Sequence, residues 1–195
     1  GTTLEGKTAV VSGSGNVATY AAQKLMALGA KVVTLSDSSG YIYDPEGLDE
    51  EKLAFILELK NVRRGRISEY ADKYGVTFVE GKRPWEVPCD VALPCATQNE
   101  INKKDAEALV SNGCVAVSEG ANMPTSEDAV AVFQAAGVVF APSKAANAGG
   151  VAMSGLEMSQ NSGRISWTED DLNKQLSDIM KNIHHTCAEY GREGD

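Results

Sequence analysis

Short apolar runs alternate with stretches of helical apolar spacing along most of the chain. The run Lys7–Ser12 (KTAVVS) is rich in β-branched residues and ends at glycines, which predicts a buried strand. From Val17 the apolar positions recur every three or four residues until Gly29, which predicts a helix ended by a left-handed glycine. Lys31–Ser36 (KVVTLS) predicts a second strand. Strand, helix and strand in about thirty residues form a βαβ unit, whose strands should be parallel.

The same alternation continues downstream. Asp49–Lys60 predicts a helix with acidic residues in its first turn and an apolar face, and Tyr41–Tyr43 fits a short extended segment. The other predicted elements are strands at Val76–Val79, Asp90–Leu93, Cys114–Ser118 and Val138–Ala141, and helices over Lys103–Ser111, Thr125 or Ser126 to Ala136, Gly149–Gln160 and Thr168–Glu189. This alternation predicts an α/β fold, a doubly wound Rossmann-like sheet with flanking helices.

The pattern changes near residue 150. Residues 1–150 are interpreted as a dinucleotide-binding Rossmann-like domain, and residues 151–195 as a C-terminal helical segment of the same domain. The sequence stops at Gly-Arg-Glu-Gly-Asp without a closing strand or helix. We therefore expect that the C-terminal segment is truncated.

The composition excludes several classes of protein. Hydrophobic residues make up 43% and charged residues 23%, as in ordinary globular chains. The net charge of −9 repels phosphate backbones, so no nucleic-acid partner is expected. No apolar run approaches the ~18–20 residues that span a bilayer, so no membrane association is expected. The four cysteines lack CxxC spacing and have no histidine at ligand spacing, which predicts buried thiols, no metal site and a cytoplasmic protein.

The turn after the first strand carries the clearest chemical signal. Gly13–Ala18 (GSGNVA) fits the pattern G-x-G-x-x-G/A, follows a predicted strand and opens a predicted helix. Asp37 ends the second strand, where the dinucleotide-binding fingerprint has an acid. Gly13 would permit the tight turn, and Gly15 would let the backbone approach a pyrophosphate at the helix N-terminus. The alternative is an ordinary glycine-rich turn.

Three further polar loops follow predicted strand ends, at Pro94–Asn99, Glu119–Pro124 and Ser143–Gly150. In an open α/β sheet, ligands bind beyond the carboxyl ends of the strands. Neutral amides and hydroxyls there suit ribose hydroxyls and a carboxamide. Each loop alone is compatible with simple turn chemistry, but together they predict one ligand site at this edge.

Five segments together resemble the coenzyme-binding (second) domain of hexameric, NADP-type bacterial glutamate dehydrogenases, over essentially the whole chain. They are SGSGNVA (Ser12–Ala18), SDSSG (Ser36–Gly40), PCATQNE (Pro94–Glu100), EGANMP (Glu119–Pro124) and KAANAGGVAMSGLEMSQN (Lys144–Asn161). The resemblance implies interconversion of L-glutamate with 2-oxoglutarate and ammonia by a homohexamer that uses NADP(H). In that family the catalytic lysine and aspartate lie in a preceding substrate domain. We therefore expect this chain to bind coenzyme without turnover and to hold no catalytic residue.

The resemblance also implies roles for single residues. Those implied are Ser14, Asn16 and Val17 for the pyrophosphate, Thr97 and Asn99 for the nicotinamide ribose, and Asn122 and Asn147 for the nicotinamide and substrate cleft. Ser154 matches the serine that contacts the γ-carboxylate of the substrate.

The coenzyme choice depends on opposing charges. Asp37 alone favours NAD, because a carboxylate binds a ribose 2′-hydroxyl and repels a 2′-phosphate. The resemblance assigns Ser38, Lys60 and Arg66 to that phosphate. One like charge at 4 Å costs about 4 kcal/mol at a dielectric of about 20, and a hydrogen bond to a charged group contributes roughly 1.5–3 kcal/mol. Two cations and a serine can outweigh one aspartate, so we expect NADP. NAD remains the alternative, with the cations as a solvated helix end.

Two other functions compete with this interpretation. An NAD-dependent dehydrogenase acting on a branched or aromatic amino acid is disfavoured by Ser154, because a hydroxyl suits a carboxylate better than an alkyl chain. A non-catalytic dinucleotide-binding module is disfavoured by the loops Pro94–Asn99 and Lys144–Ser154, since a sensor has no need of a substrate cleft.

Overall fold

The computed structural model describes residues 3–192, and these form one compact unit up to Ala141 and a second from Pro142. The elements of the first unit are β1 (Thr8–Val11), α1 (Asn16–Ala27), β2 (Lys31–Asp37), β3 (Gly40–Tyr43), α2 (Glu50–Leu57), α3 (Ser68–Tyr74), β4 (Thr77–Glu80), β5 (Val91–Leu93), α4 (Lys103–Ser111), β6 (Ala116–Ser118), α5 (Glu127–Ala135) and β7 (Val139–Ala141). Those of the second are α6 (Ser143–Ala146), α7 (Ala148–Gly163) and α8 (Glu169–Arg192).

The seven strands of the first unit form one sheet in the order β4-β3-β2-β1-β5-β6-β7. The predicted βαβ unit is confirmed, because β1 pairs in parallel with β2, with Thr8 opposite Lys31. On its other side β1 pairs in parallel with β5, with Ala9 opposite Val91. The connection after β1 leads to β2 on one side, and a later connection leads to β5 on the other side. This change of direction creates a crevice at the carboxyl end of β1.

The sheet is mixed, because β3 runs antiparallel to both of its neighbours. Asp37 pairs with Gly40, so only two serines connect β2 to β3. A parallel connection needs a crossover of a dozen or more residues, and such a tight hairpin can only reverse the chain. Gly40 has φ +152°, and a Cβ atom there would overlap the carbonyl of Val79. This hairpin places Asp37 and Ser38 at the edge of the crevice.

The segment after β3 differs from its prediction. Asp49 caps α2 by accepting the Lys52 amide at 2.8 Å, but the helix continues as a π-helical turn over Glu58–Val62. The helix α3 was absent from the sequence prediction. It buries Tyr70 and ends at Gly75, whose φ of +66° is left-handed. Its pattern is short, with two buried positions, and too weak to identify by periodicity alone.

Helices cover both faces of the sheet, as predicted for a doubly wound fold. In β1, Ala9 and Val11 join the apolar cluster beneath α1 and α2, whereas Val10 joins the cluster beneath α4 and α5. Alternate residues of a strand face opposite sides, so a central strand buried on both faces is apolar throughout. Asn102 caps α4 by accepting the amides of Lys104 and Asp105, and Asp105 completes a capping box.

The second unit is helical. Gly149 of α7 faces α8, and a Cβ atom there would lie 3.8 Å from Met180 Sδ. Trp167 precedes α8 and donates its amide to Gln160 at 2.6 Å. Cys187 on α8 is exposed, which corrects the prediction that all the cysteines are buried; Cys89, Cys95 and Cys114 are buried. Among the helices of residues 3–192, none combines the length and the apolar character needed to cross a membrane.

Candidate functional site

A cleft of about 770 Å³ opens at the carboxyl ends of β1, β2 and β5 in the first unit. This volume lies within the range of about 300–1,000 Å³ that is usual for small-molecule sites. Its walls are formed by Gly13, Ser14, Gly15, Asn16, Val17, Ser36, Asp37, Ser38, Gly40, Gly81, Lys82, Arg83, Cys95, Ala96, Thr97 and Glu100. The crevice expected from the strand order therefore contains the glycine turn from Gly13 to Val17.

Gly13 is required by the geometry of this turn. Its φ is +84°, and a Cβ atom there would lie 2.9 Å from the carbonyl oxygen of Cys95. Its amide donates to Ser36 Oγ at 2.7 Å, and its carbonyl accepts the Ser36 amide at 3.0 Å. The turn is thus bonded to β2 and lies directly against the loop that follows β5.

Gly15 has a different role, because its backbone is not strained. It is the N-cap of α1 with φ −86°, and no atom lies within 4 Å of the position that a Cβ atom would occupy. No side chain caps this helix, and its first turn contains no acid. Asn16 and Val17 line the cleft, and the first backbone amides of a helix are left without partners inside the helix, so they are available as donors for an anion.

The carboxylate of Asp37 is occupied by donors from the protein itself. Its Oδ1 accepts the amide and the hydroxyl of Ser39, and its Oδ2 accepts Lys60 Nζ at 3.1 Å and the Ile67 amide at 2.9 Å. Burial acts to raise the pKa of Asp37, but these hydrogen bonds together outweigh burial and lower the pKa to about 2. Asp37 is therefore ionised at neutral pH, with its charge balanced by Lys60.

Ser38 and Arg66 form an exposed pair next to this ion pair. Arg66 donates from Nη1 to Ser38 Oγ at 2.7 Å, and a guanidinium carries more donors than this contact uses. Lys60 also donates to the carbonyl of Gly65 at 2.9 Å. Ser38 lines the cleft, whereas Lys60, on the π-helical turn after α2, and Arg66, in the loop that follows, are not among the described residues of its wall. The three residues assigned to a phosphate are thus brought together around Asp37.

The other predicted residues of the first unit lie on two loops that contact each other. Thr97 lines the cleft, whereas Asn99 and Asn122 are exposed and are not among the described residues of its walls. Asn99 has φ +54°, and its amide donates to the carbonyl of Met123 at 3.0 Å. The backbone therefore couples the loop of Asn99 to that of Asn122.

Asn147 and Ser154 belong to the second unit. Asn147 joins α6 to α7, and its amide donates to the carbonyl of Ser143 at 3.0 Å. Ser154 lies seven positions further along α7 and is exposed. Seven residues are close to two helical turns, so both residues lie on one side of this helix.

Eight residues of the cleft wall were not predicted as site residues: Ser36, Gly40, Gly81, Lys82, Arg83, Cys95, Ala96 and Glu100. Glu100 is buried, with its side chain in the cleft wall, and Arg83 donates to the carbonyls of Asn99 and Glu100. The only signal for Glu100 was an acid at the end of a polar loop, which usually marks a solvated position. Within residues 3–192, no cluster of three or more histidine, cysteine or acidic residues has the arrangement of a metal site.

Comparison with known proteins identifies the family. The model of the glutamate/leucine/phenylalanine/valine dehydrogenase family matches residues 1–195. The chain belongs to this family. Within the glutamate/leucine/phenylalanine/valine dehydrogenases, it is 61% identical to a glutamate dehydrogenase of Bacteroides thetaiotaomicron and 63% identical to an NAD(P)-specific glutamate dehydrogenase of Xylanibacter ruminicola. Each match covers 100% of this chain and 44% of the relative.

Other members of the family are similar over the same region. The NADP-specific glutamate dehydrogenase of Escherichia coli is 54% identical over 98% of this chain and 43% of its own length. The crystal structure of Plasmodium falciparum glutamate dehydrogenase superimposes with a TM-score of 0.91 at 49% identity, over 97% of this chain and 41% of that one. The chain thus spans less than half the length of these relatives, and the α/β fold predicted from the sequence is confirmed.

Proposed function

We propose that this chain is the coenzyme-binding part of an NADP-dependent glutamate dehydrogenase. The observation that carries this proposal is the arrangement beside the glycine turn, where Lys60 neutralises Asp37 and leaves Ser38 and Arg66 exposed. A 2′-phosphate approaching Ser38 meets a neutral ion pair and a guanidinium rather than a bare carboxylate. The names of the relatives from Escherichia coli and Haemophilus influenzae, which are NADP-specific, support the same choice.

The residues present fit a dinucleotide. The open space at Gly15 and the uncapped amides at the start of α1 suit a pyrophosphate, with Ser14, Asn16 and Val17 around it. Thr97, Asn99 and Asn122 are proposed to hold the nicotinamide ribose and ring. NADP(H) supplies the hydride that is exchanged with the substrate, and this chain binds and orients the coenzyme that carries it.

The remaining parts of the proposal concern the whole enzyme. We propose that Asn147 and Ser154 bind glutamate or 2-oxoglutarate, because a neutral amide and a hydroxyl suit its carboxylates. The residues that perform proton transfer are expected outside these 195 positions, in a substrate domain, and the complete enzyme is expected to be a homohexamer. Sedimentation of the complete enzyme tests the assembly.

NAD is the second candidate coenzyme, because the relative from Xylanibacter ruminicola is named NAD(P)-specific. The test is calorimetric titration of the chain with NADP⁺ and separately with NAD⁺, at low and high salt. Tighter NADP⁺ binding that weakens with salt is the expected result, since phosphate contacts with cations are screened. Equal or tighter NAD⁺ binding overturns the NADP assignment, and binding of neither coenzyme overturns the proposed site.

An Arg66 variant tests whether this residue binds the 2′-phosphate of NADP⁺. Arg66→Met should weaken NADP⁺ binding roughly tenfold, the effect of one hydrogen bond between charged groups, and leave NAD⁺ binding unchanged. Lys104→Met is the matched control, because Lys104 is an exposed cation on α4, outside the described cleft wall. If both variants weaken NADP⁺ equally, the effect is one of net charge and Arg66 holds no phosphate.

A further inference from the structure

The side chain of Glu100 is an acid in an unusual position. Glu100 is only 1% exposed, yet it forms part of the cleft wall. Its Oε1 accepts the amide of Ala96 at 3.0 Å and the amide of Thr97 at 3.2 Å. The hydroxyl of Ser12 donates to the same carboxylate. The carboxylate therefore fixes the backbone of Ala96 and Thr97, and both of these residues line the cleft.

Ser12 extends this contact to the other wall of the cleft. Its Oγ accepts the amide of Cys95 at 2.9 Å, so the hydroxyl accepts from one loop residue and donates to Glu100. Ser12 directly precedes Gly13, whose position lies against the carbonyl of Cys95. One carboxylate thus connects the glycine turn with the loop that carries Thr97.

The backbone of Glu100 is held independently of its side chain. Its carbonyl accepts Arg83 Nη1 at 2.7 Å and the indole Nε1 of Trp85 at 3.1 Å. Trp85 is itself buried, at 1% exposure. The backbone of Glu100 is therefore fixed by Arg83 and Trp85. The loop of Ala96 and Thr97 takes its position from the carboxylate, and the carboxylate does not depend on the loop for its own position.

Ionisation of Glu100 is essential to this geometry. Burial raises the pKa of Glu100, although the donors Ser12, Ala96 and Thr97 and the charge of Arg83 oppose that effect. The other titratable group nearby is the Cys95 thiol, whose pKa burial raises to about 12, so it is neutral. An ionised carboxylate only accepts hydrogen bonds, whereas a protonated one adds a donor that has no acceptor among these amides.

We propose that Glu100 is the positioning residue of the coenzyme cleft: its ionised carboxylate holds the Ala96–Thr97 backbone against the glycine turn, and its protonation releases that loop and weakens coenzyme binding. This inference rests on the proposed function, since it takes NADP(H) as the ligand of the cleft. Glu100 acts through Thr97 and the turn, and makes no contact with the reacting atoms.

The first test needs no coenzyme. Amide resonances of Ala96 and Thr97, followed by NMR as the pH of the chain is lowered, should shift together with one midpoint above the ordinary glutamate value of 4.5. The shared transition should disappear in Glu100→Gln. Separate midpoints, or a transition that persists in the variant, overturn the inference whatever the cleft binds.

The second test measures coenzyme binding from mildly alkaline pH down through the transition that the first test locates, because burial raises the pKa of Glu100. The wild-type affinity for NADP⁺ should fall as the pH is lowered. Glu100→Gln should bind roughly tenfold more weakly at the alkaline end, the effect of one hydrogen bond to a charged group, and should lose the part of the pH dependence due to Glu100. The coenzyme phosphate also titrates near pH ~6, but equally with both proteins, so their difference reports Glu100.

The control is Glu107→Gln, which removes an exposed carboxylate of α4 whose side chain is 54% exposed. It should bind NADP⁺ as the wild type does at every pH. If Glu100→Gln and wild type have parallel pH profiles and equal affinity, the inference is wrong while the proposed function stands. If the wild type itself binds no coenzyme, the proposed function fails, and with it the role of Glu100.

Discussion

Lys60 Nζ lies 3.1 Å from Asp37 Oδ2, and the two side chains are 19% and 9% exposed. They are 23 positions apart in the sequence, on a π-helical turn and at the end of β2. Lys60 also binds the carbonyl of Gly65, which anchors the loop that carries Arg66. One lysine thus cancels the acid that disfavours a 2′-phosphate and positions the arginine that favours it.

Replacement of this lysine should change coenzyme preference. Lys60→Met leaves Asp37 ionised without its cation, so NADP⁺ binding should weaken at least tenfold, roughly the effect of one lost charge contact, while NAD⁺ binding should be retained. Parallel calorimetric titrations with both coenzymes measure the ratio of affinities. If the ratio of NADP⁺ affinity to NAD⁺ affinity is unchanged, Lys60 does not set coenzyme preference by neutralising Asp37.

The hydrogen bonds of Asp37 should make the free energy of unfolding depend on pH in the acid range. Its pKa in the folded state is lowered from 3.8 to about 2, so on acidification the unfolded chain takes up the proton first. The stability that Asp37 contributes is therefore present above pH 3.8 and is lost as the pH falls towards about 2. Urea unfolding of wild type and Asp37→Asn across this window should show two curves that converge at low pH. A constant difference would contradict the prediction.

Replacing each of the two glycines of the turn should affect a different property: stability for Gly13 and coenzyme binding for Gly15. Gly13→Ala combines a φ of +84° with a contact of 2.9 Å to a backbone oxygen, so it should lower the melting temperature. Gly15→Ala meets no protein atom and needs no left-handed backbone, but alanine is a poorer N-cap than glycine, so its stability should stay close to that of the wild type. Its methyl group occupies the space proposed for the pyrophosphate, and coenzyme affinity should fall. Thermal melts and titrations of both variants test this; normal coenzyme binding by Gly15→Ala would refute it.

A buried tyrosine of α3 should contribute to stability but not to coenzyme binding. Tyr70 donates its hydroxyl to Asp44 Oδ2 at 2.6 Å, and Asp44 is 1% exposed. Tyr70→Phe removes a donor from a buried carboxylate that Lys52 also contacts, so the free energy of unfolding should fall by about 1–3 kcal/mol. Tyr20→Phe is the control, because Tyr20 is 69% exposed. Urea unfolding of the two variants measures the difference, and equal stabilities would mean that the buried contact contributes nothing.

Local pattern was enough to predict most elements of the fold. The strands from Thr8 and Lys31 and the helix between them follow from apolar spacing and glycine positions, and all three formed where expected. The parallel pairing followed as well, because a helical connection can only return the chain to the same end of the sheet. The weak helix α3 was missed, since its stability depends on burying Tyr70 against other elements rather than on its own pattern.

The sequence by itself determined the chemistry that is available: a glycine turn, an acid at the end of a strand and cations further along the chain. Only the tertiary structure decided how these groups combine. Whether Asp37 faces a ligand or is neutralised depends on where Lys60 and Ile67 lie, and no spacing rule connects them. The same holds for Glu100, a buried carboxylate whose donors come from two distant segments, Ser12 and the loop of Ala96 and Thr97. The interaction between charges depends on distance and solvent exposure, and folding sets both.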